Sequence, residues 1–281
     1  MTKISIVTDS TADLDAGWAK RYNIRVVPAF VNFGAESFAD DGVALTRPDF
    51  YSRLAAAPEL PTTAAPPPGL TEQIFREALD EADHVVAISL AKTLSGIYDG
   101  MLLAARNIGE DKCTVIDSGS LSMGVGWQVL AAAEAAANGA DLKTILSIID
   151  DTRSRLKVYA AFDTFEYLRR GGRVSRLTAG VGSLLQIKPV VSLSGGNVDL
   201  LNRVRTFKKI YPEMAQLVTD QAPLERLAVM HTNARDRAEH LLGLVQHIAP
   251  PDQTVITEAT TAIGTQIGPG AIGVALIRAR S

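Results

Sequence analysis

Residues 84–118 read HVVAISLAKTLSGIYDGMLLAARNIGEDKCTVIDS. His84 to Ser89 is a short apolar, β-branched run. Residues 94–108 read as a helix, and Cys113 to Asp117 as a second strand. A strand, a helix and a strand in this spacing form a βαβ unit, whose crossover makes the two strands parallel. Strands buried on both faces of a parallel sheet read as continuous apolar runs, as these do. The alternation continues outward: residues 4–8 and 24–31 read as strands, and residues 12–22, 69–82, 122–138 and 142–153 as helices. This predicts an N-terminal α/β domain with a parallel sheet.

The second half changes character. Pro189 to Ser194 and Asn197 to Leu201 flank Gly195-Gly196, the signal of a hairpin turn. Strands are expected at 157–162, 227–231, 253–258 and 271–278, and helices at 163–170, 211–221 and 233–248. A hairpin with mixed helices predicts an α+β domain. The boundary falls near residue 155, giving domains 1–155 and 156–281. The densest breaker stretch, residues 58–69 with five prolines, is expected to be an ordered loop.

Composition narrows the function. The 281 residues are 47% hydrophobic and 21% charged, ordinary for a soluble globular protein. A net charge of −3 argues against a nucleic-acid coat. The single cysteine, Cys113, excludes an internal disulfide and a cysteine metal cluster. No apolar run is long enough to span a membrane, and Met1-Thr2-Lys3-Ile4 lacks a signal peptide's layout. A cytoplasmic protein without stable membrane insertion, though open to transient membrane contact, is expected.

Most catalytic signatures are absent: there is no P-loop, no GxSxG elbow and no HExxH. Gly268-Pro269-Gly270-Ala271-Ile272-Gly273 matches GxGxxG, but only eight residues follow it, too few for a dinucleotide-binding unit. These glycines are read as points of close backbone approach. The histidines, His84, His231, His240 and His247, form no close metal pair and are read as structural.

Three strands end in hydroxyl-rich turns: residues 8–14 with Ser10, Thr11 and Asp13; residues 89–96 with Ser95 and Gly96; and residues 117–122 with Asp117 and Ser118. Each reads singly as a helix cap. In an open parallel sheet, ligands sit at the carboxyl ends of the strands, so together the turns are expected to converge on a site. Free backbone N–H groups there favour an anion. With no metal ligands and apolar surroundings, a carboxylate on an apolar body fits better than a polyphosphate. Residues 169–209 carry nine basic residues against Asp199, a charge of +8 in a chain whose remainder is −11. This is either a solvated face or a docking surface for an acidic or phosphate-bearing partner.

Several motifs in fixed order resemble the DegV family of bacterial fatty-acid-binding proteins, essentially end to end. They are 9–14 (DSTADL), 61–63 (PTT), 94–98 (LSGIY) and 115–118 (VIDS) in the first half. Residues 166–175 (EYLRRGGRVS), 185–189 (LQIKP), 203–205 (RVR) and 268–271 (GPGA) follow in the second. The resemblance implies a DegV-like fold of two domains and a long-chain fatty acid with its tail inside and its carboxylate at the domain junction. It further implies that Thr63 and Ser95 bond the carboxylate, with Thr62 adjacent. The carrier does no chemistry and needs no cofactor or metal. It hands the carboxylate to an ATP-dependent fatty-acid kinase subunit, which makes acyl-phosphate for phospholipid metabolism. Arg170, Arg173, Arg203 and Arg205 are the expected docking residues.

Two positions depart from the family's pattern. Ala64-Ala65-Pro66-Pro67 stands where Ser-Gln-Pro-Ser is usual, and Gln266 where a histidine is usual. Glutamine donates to a carboxylate but does not titrate near neutral pH. Two other functions stay open at this point: a serine hydrolase acting on lipid esters through Ser95, with His231 as the base on offer, and a binding protein for another apolar carboxylic acid.

Overall fold

The computed structural model describes residues 2–172 and 187–280. Arg173 and Arg176 of the basic segment, and Leu185 and Gln186 of its LQIKP motif, lie outside the described residues.

Strands β1 (Ile4–Asp9), β2 (Arg25–Val27), β6 (His84–Ser89) and β7 (Cys113–Asp117) form a parallel sheet in the order β2-β1-β6-β7. Every residue of β6 is buried, which explains its lack of alternation. Val85 and Ala87 pack toward α2 (Arg47–Ala56), α3 (Pro68–Leu79) and α4 (Ile97–Ile108). Val86 and Ile88 pack toward α5 (Met123–Ala137) and α6 (Leu142–Arg155) on the other face.

The stretch 24–31 is not one strand. Pro28 has no N–H to give a ladder, and the chain breaks there between β2 and β3 (Phe30–Phe33). β3, β4 (Glu36–Ala39) and β5 (Thr62–Ala64) make a small antiparallel sheet in the order β4-β3-β5. The proline-rich loop therefore contains a strand, with Thr63 opposite Val31. The expected helix over 12–22 is a 3-10 turn at Ser10–Ala12 followed by α1 (Ala16–Arg21), capped by Asp15. Asp13 sits between them at φ 51 rather than in a first helical turn.

After α6 the chain enters a six-stranded sheet with the order β10-β9-β8-β13-β11-β12. Its strands are β8 (Leu156–Ala161), β9 (Lys188–Ser194), β10 (Asn197–Val204), β11 (Leu224–His231), β12 (Thr254–Glu258) and β13 (Ile272–Arg278). All pairs are antiparallel except β11 with β12. The expected hairpin is β9–β10, and its turn does more than reverse the chain. Gly196 donates its N–H to Gly119 O at 2.7 Å and accepts from the Thr93 hydroxyl at 2.6 Å, so the turn lies on two strand-end turns of the first sheet. A side chain at Gly196 would meet Thr93 at 2.5 Å.

One face of the six-stranded sheet is covered by α8 (Phe207–Thr219) and α9 (Arg235–Val245). The other packs on α5, where Met123, Trp127 and Leu130 meet Val158, Ala275 and Ile277. α5 is thus held between both sheets, and Trp127 Nε1 donates to Ala275 O at 2.9 Å. The short helices α7 (Glu166–Arg170) and α10 (Thr261–Ile267) complete the described elements.

Candidate functional site

A cavity of about 250 Å³ lies where the inner face of the six-stranded sheet meets the strand-end turns of the first. One water needs roughly 10–15 Å³ on this measure, so the space is far larger than a water site. β8 and β9 contribute Val158, Ala160, Val191 and Leu193; the turn after β6 contributes Leu90 and residues 94–97; α10 contributes Ala262, Ile263, Gln266 and Ile267. Among the described lining residues the polar side chains are Thr11, Thr63, Ser95 and Gln266, none of which titrates near neutral pH.

Thr63 enters from β5, half-buried, and accepts a hydrogen bond from Gln266 Nε2 at 3.0 Å. That contact joins positions 203 apart in the chain. Gln266 Oε1 is buried without a hydrogen-bond partner, beside Gly171. Ser95 Oγ accepts from the Ile97 N–H at 3.3 Å, which leaves the Ser95 hydroxyl proton free to donate outward. Gly96 caps α4 without a side-chain bond; the Ile97 N–H at the cavity goes to Ser95 Oγ, and the next N–H groups of this first turn have no intrahelical partner.

Other predicted residues have different tasks. Thr11 lines the cavity, but its hydroxyl and N–H are both given to Asp9. Thr62, next to Thr63 in β5, is exposed and outside the lining. Ser10 donates to Asp40 at 2.8 Å and accepts from the Ala29 N–H. Asp117 accepts from the N–H groups of Lys92 and Gly119, and Ser118 bonds within its own turn to Ser120. Of the turn at 117–122, the cavity receives Leu121 alone. The three turns therefore do not converge equally: the 89–96 turn makes the wall, and the other two brace it.

The sequence gives no sign of α10 or of Phe162, Leu168 and Val198 as lining residues. Apolar lining residues carry no signal that separates them from core.

No histidine lines the cavity among the described residues. His231 ends β11 in a separate polar cavity with Glu258, Asp163 and Arg237, and burial holds its pKa below the usual histidine value. His84 shares a hydrogen bond with Thr114, and His240 packs edge-on against Tyr211. Among the described residues lining the cavity, Ser95 thus has no base of the kind a serine nucleophile needs. Among the described residues there is no group of His, Cys, Asp or Glu that could hold a metal, and no helix is long and apolar enough to cross a membrane.

The basic segment is less bare than its count suggests, because its acids lie just upstream. Glu166 accepts from Arg169 at 2.8 Å and from Arg170 at 2.5 Å, and these bonds hold its carboxyl down at about 2. Asp163 pairs with Lys188 and with Arg237. Arg203 and Arg205, at the end of β10, are exposed.

The family model described as "Uncharacterised protein, DegV family" matches residues 3–279. The chain belongs to the DegV family. A DegV domain-containing protein of Caldanaerobacter subterraneus subsp. tengcongensis is 32% identical over 278 residues, covering 98% of each chain. Among solved DegV structures, a fatty-acid-binding member from Thermus thermophilus superposes with a TM-score of 0.89 at 30% identity, over 99% of this chain and 100% of that one. DegV from Bacillus subtilis, a fatty acid binding protein, superposes at 0.86 with 26% identity, over 99% and 100%.

Proposed function

We propose that this chain binds a long-chain fatty acid in the apolar cavity. The carboxylate rests on the Thr63 and Ser95 hydroxyls, beside Gln266 and the start of α4. The observation that carries this reading is the lining: apolar residues from the six-stranded sheet, α10 and the turn after β6, and polar groups that are hydroxyls and an amide rather than acids or bases. Fatty-acid binding by the Thermus thermophilus and Bacillus subtilis relatives supports it. So do the magnitudes. Burying about 14 methylenes is worth roughly 11 kcal/mol gross, at about 0.8 each. A hydrogen bond to a charged group adds only about 1.5–3 kcal/mol. The tail sets affinity and the polar groups set orientation.

In this reading the chain is a carrier, not a catalyst. It presents the carboxylate to a separate ATP-dependent kinase subunit in the cytoplasm, which forms the acyl-phosphate. Residues 1–155 act as the lipid-binding domain. Residues 156–281 complete the head-group site and supply the partner surface, with Arg170, Arg203 and Arg205 exposed on it. The test is mass spectrometry of lipid released from denatured protein, followed by thermal shift of delipidated protein with C14 to C18 acids. A monocarboxylic lipid and a concentration-dependent rise in Tm are expected, because a ligand bound only by the native state must stabilise it. No shift with any of these acids would overturn the reading.

A further inference from the structure

Asp13 and Asp40 are only 2% and 6% exposed, yet neither lines the apolar cavity. Both reach the start of α10. Asp13 accepts from the Thr260 N–H at 2.8 Å and from the Ser122 hydroxyl. Asp40 accepts from the Thr261 N–H at 2.9 Å, the Thr261 hydroxyl at 2.5 Å and the Ala262 N–H at 3.3 Å; its other oxygen takes the Ser10 hydroxyl at 2.8 Å. The bonds to α10 join residues 221 to 247 positions apart.

α10 has seven residues and no cap from its own N-cap side chain, and a helix this short is not stable by itself. It packs on α7, β3 and β5 and, at Gly264, against Phe50 and Tyr51 of α2; toward the cavity it presents Ile263, Gln266 and Ile267, and Gln266 holds Thr63. The N-terminal end of this wall is thus held, from outside the cavity, by two buried carboxylates. Asp9, Asp15, Asp41 and Glu258 share the cleft around them, Tyr51 of α2 faces Asp13, and Arg47 is the one cation among the described residues lining that cleft.

We propose that Asp13 and Asp40 are positioning residues of the lipid site: they hold α10 against the cavity, and the charge on the pair sets how often α10 lifts away. The link to ligand exchange rests on the lipid-binding reading; the motion of α10 does not. Its direction follows from linkage. Burial raises Asp13 to about 7, with the Asp40 charge adding and the Ser122 and Thr260 bonds and Arg47 opposing, and burial raises Asp40 as well. With α10 lifted, water reaches Asp13 and its pKa returns toward the ordinary 3.8. The docked state binds the proton more tightly, so acid favours docking, and a rise in pH through about 7 favours lifting.

The test uses wild type, Asp13→Asn and Asp40→Asn between about pH 5.5 and 8.5. Two quantities are measured: hydrogen exchange of the 260–267 amides, corrected for intrinsic pH dependence with β6 as reference, and the dissociation rate of a long-chain alkyl sulfonate, whose head does not titrate. In wild type both are expected to rise with a midpoint near pH 7, by about fivefold or more, the low end of coupling between linked equilibria. Asp13→Asn keeps an acceptor for Thr260, and Ser122 Oγ already lies 2.9 Å from Met230 Sδ, to which its hydroxyl can turn. This variant stays slow and loses most of the rise, Asp40 alone remaining to titrate. Asp40→Asn keeps the rise but moves its midpoint to lower pH, because a like charge is gone. A flat wild type, or an Asp13→Asn variant with the wild-type rise, overturns the proposal. If neither sulfonate nor fatty acid binds at any pH, the lipid-binding reading fails, and the exchange of the α10 amides still decides the positioning role.

Discussion

Gln266 Nε2 donates to Thr63 Oγ1, which decides where the threonine proton goes. With its oxygen already accepting, the Thr63 hydroxyl is left to donate into the cavity, and Ser95 is in the same position through the Ile97 N–H. Thr63→Ala and Ser95→Ala should each weaken palmitate binding by about 1–3 kcal/mol with the fold intact. Titration calorimetry checks this, and wild-type affinity in the double variant would move the carboxylate elsewhere. Gln266→Met should separate stability from binding. It removes the buried, unpartnered Oε1 and should leave the apoprotein at least as stable, while affinity falls by about 1 kcal/mol because Thr63 loses its fixed donor. Thr63 and Ser95 were legible in the sequence because motifs carry them. That Gln266 binds Thr63 was not, because a contact over 203 positions leaves no local trace.

At the scale of elements, α5 is the member that both sheets depend on. A side chain at Gly126 would lie 2.8 Å from the backbone oxygen of Ala12, which cannot move aside. Alanine is a better helix former than glycine by about 1 kcal/mol. Gly126→Ala should nevertheless destabilise by about 1–3 kcal/mol through overpacking. Gly100 of α4 has nothing within 4 Å of such a position, so Gly100→Ala should stabilise by about 0.5–1 kcal/mol. Urea midpoints at constant m-value measure both, and the two signs must differ. α5 was legible from its long apolar run. α10 was not: residues 261–267, TAIGTQI, offer no helical stripe, and the carboxylate that caps them is Asp40, supplied from another part of the chain. β5 was hidden for a similar reason, since it is a strand only by pairing with β3.

Across the whole molecule, the uneven charge becomes a surface in which some cations are already paired. Arg170 is held by Glu166, whereas Arg205 stands exposed beyond β10. Rim charges act mainly on association rate and salt dependence. If the chain is the carrier proposed above, Arg205→Ala should leave lipid affinity unchanged but lower acyl-phosphate formation with the proposed kinase partner, and Arg170→Ala should do so less. Steady-state assays at rising ionic strength check this: the deficit should narrow as salt screens the wild type's advantage. Equal loss of lipid affinity and kinase coupling would assign the segment to the fold.

What the sequence determined by itself is the set of elements whose cause is local. The parallel sheet followed from continuous apolar strands alternating with helices, and the β9–β10 hairpin from Gly195-Gly196. The hydroxyl turns were visible because Ser, Thr and Asp cluster between apolar strands and helices, as turns and caps require. The tertiary structure alone decided which turn lines the cavity and which braces, and which apolar residues line space rather than fill it. It also decided that the wall carrying Gln266 hangs on Asp13 and Asp40. The physical reason is common to all three. Burial, cavity and desolvated charge belong to groups brought together across hundreds of positions, and no local pattern records a contact made only when both sheets close on α5.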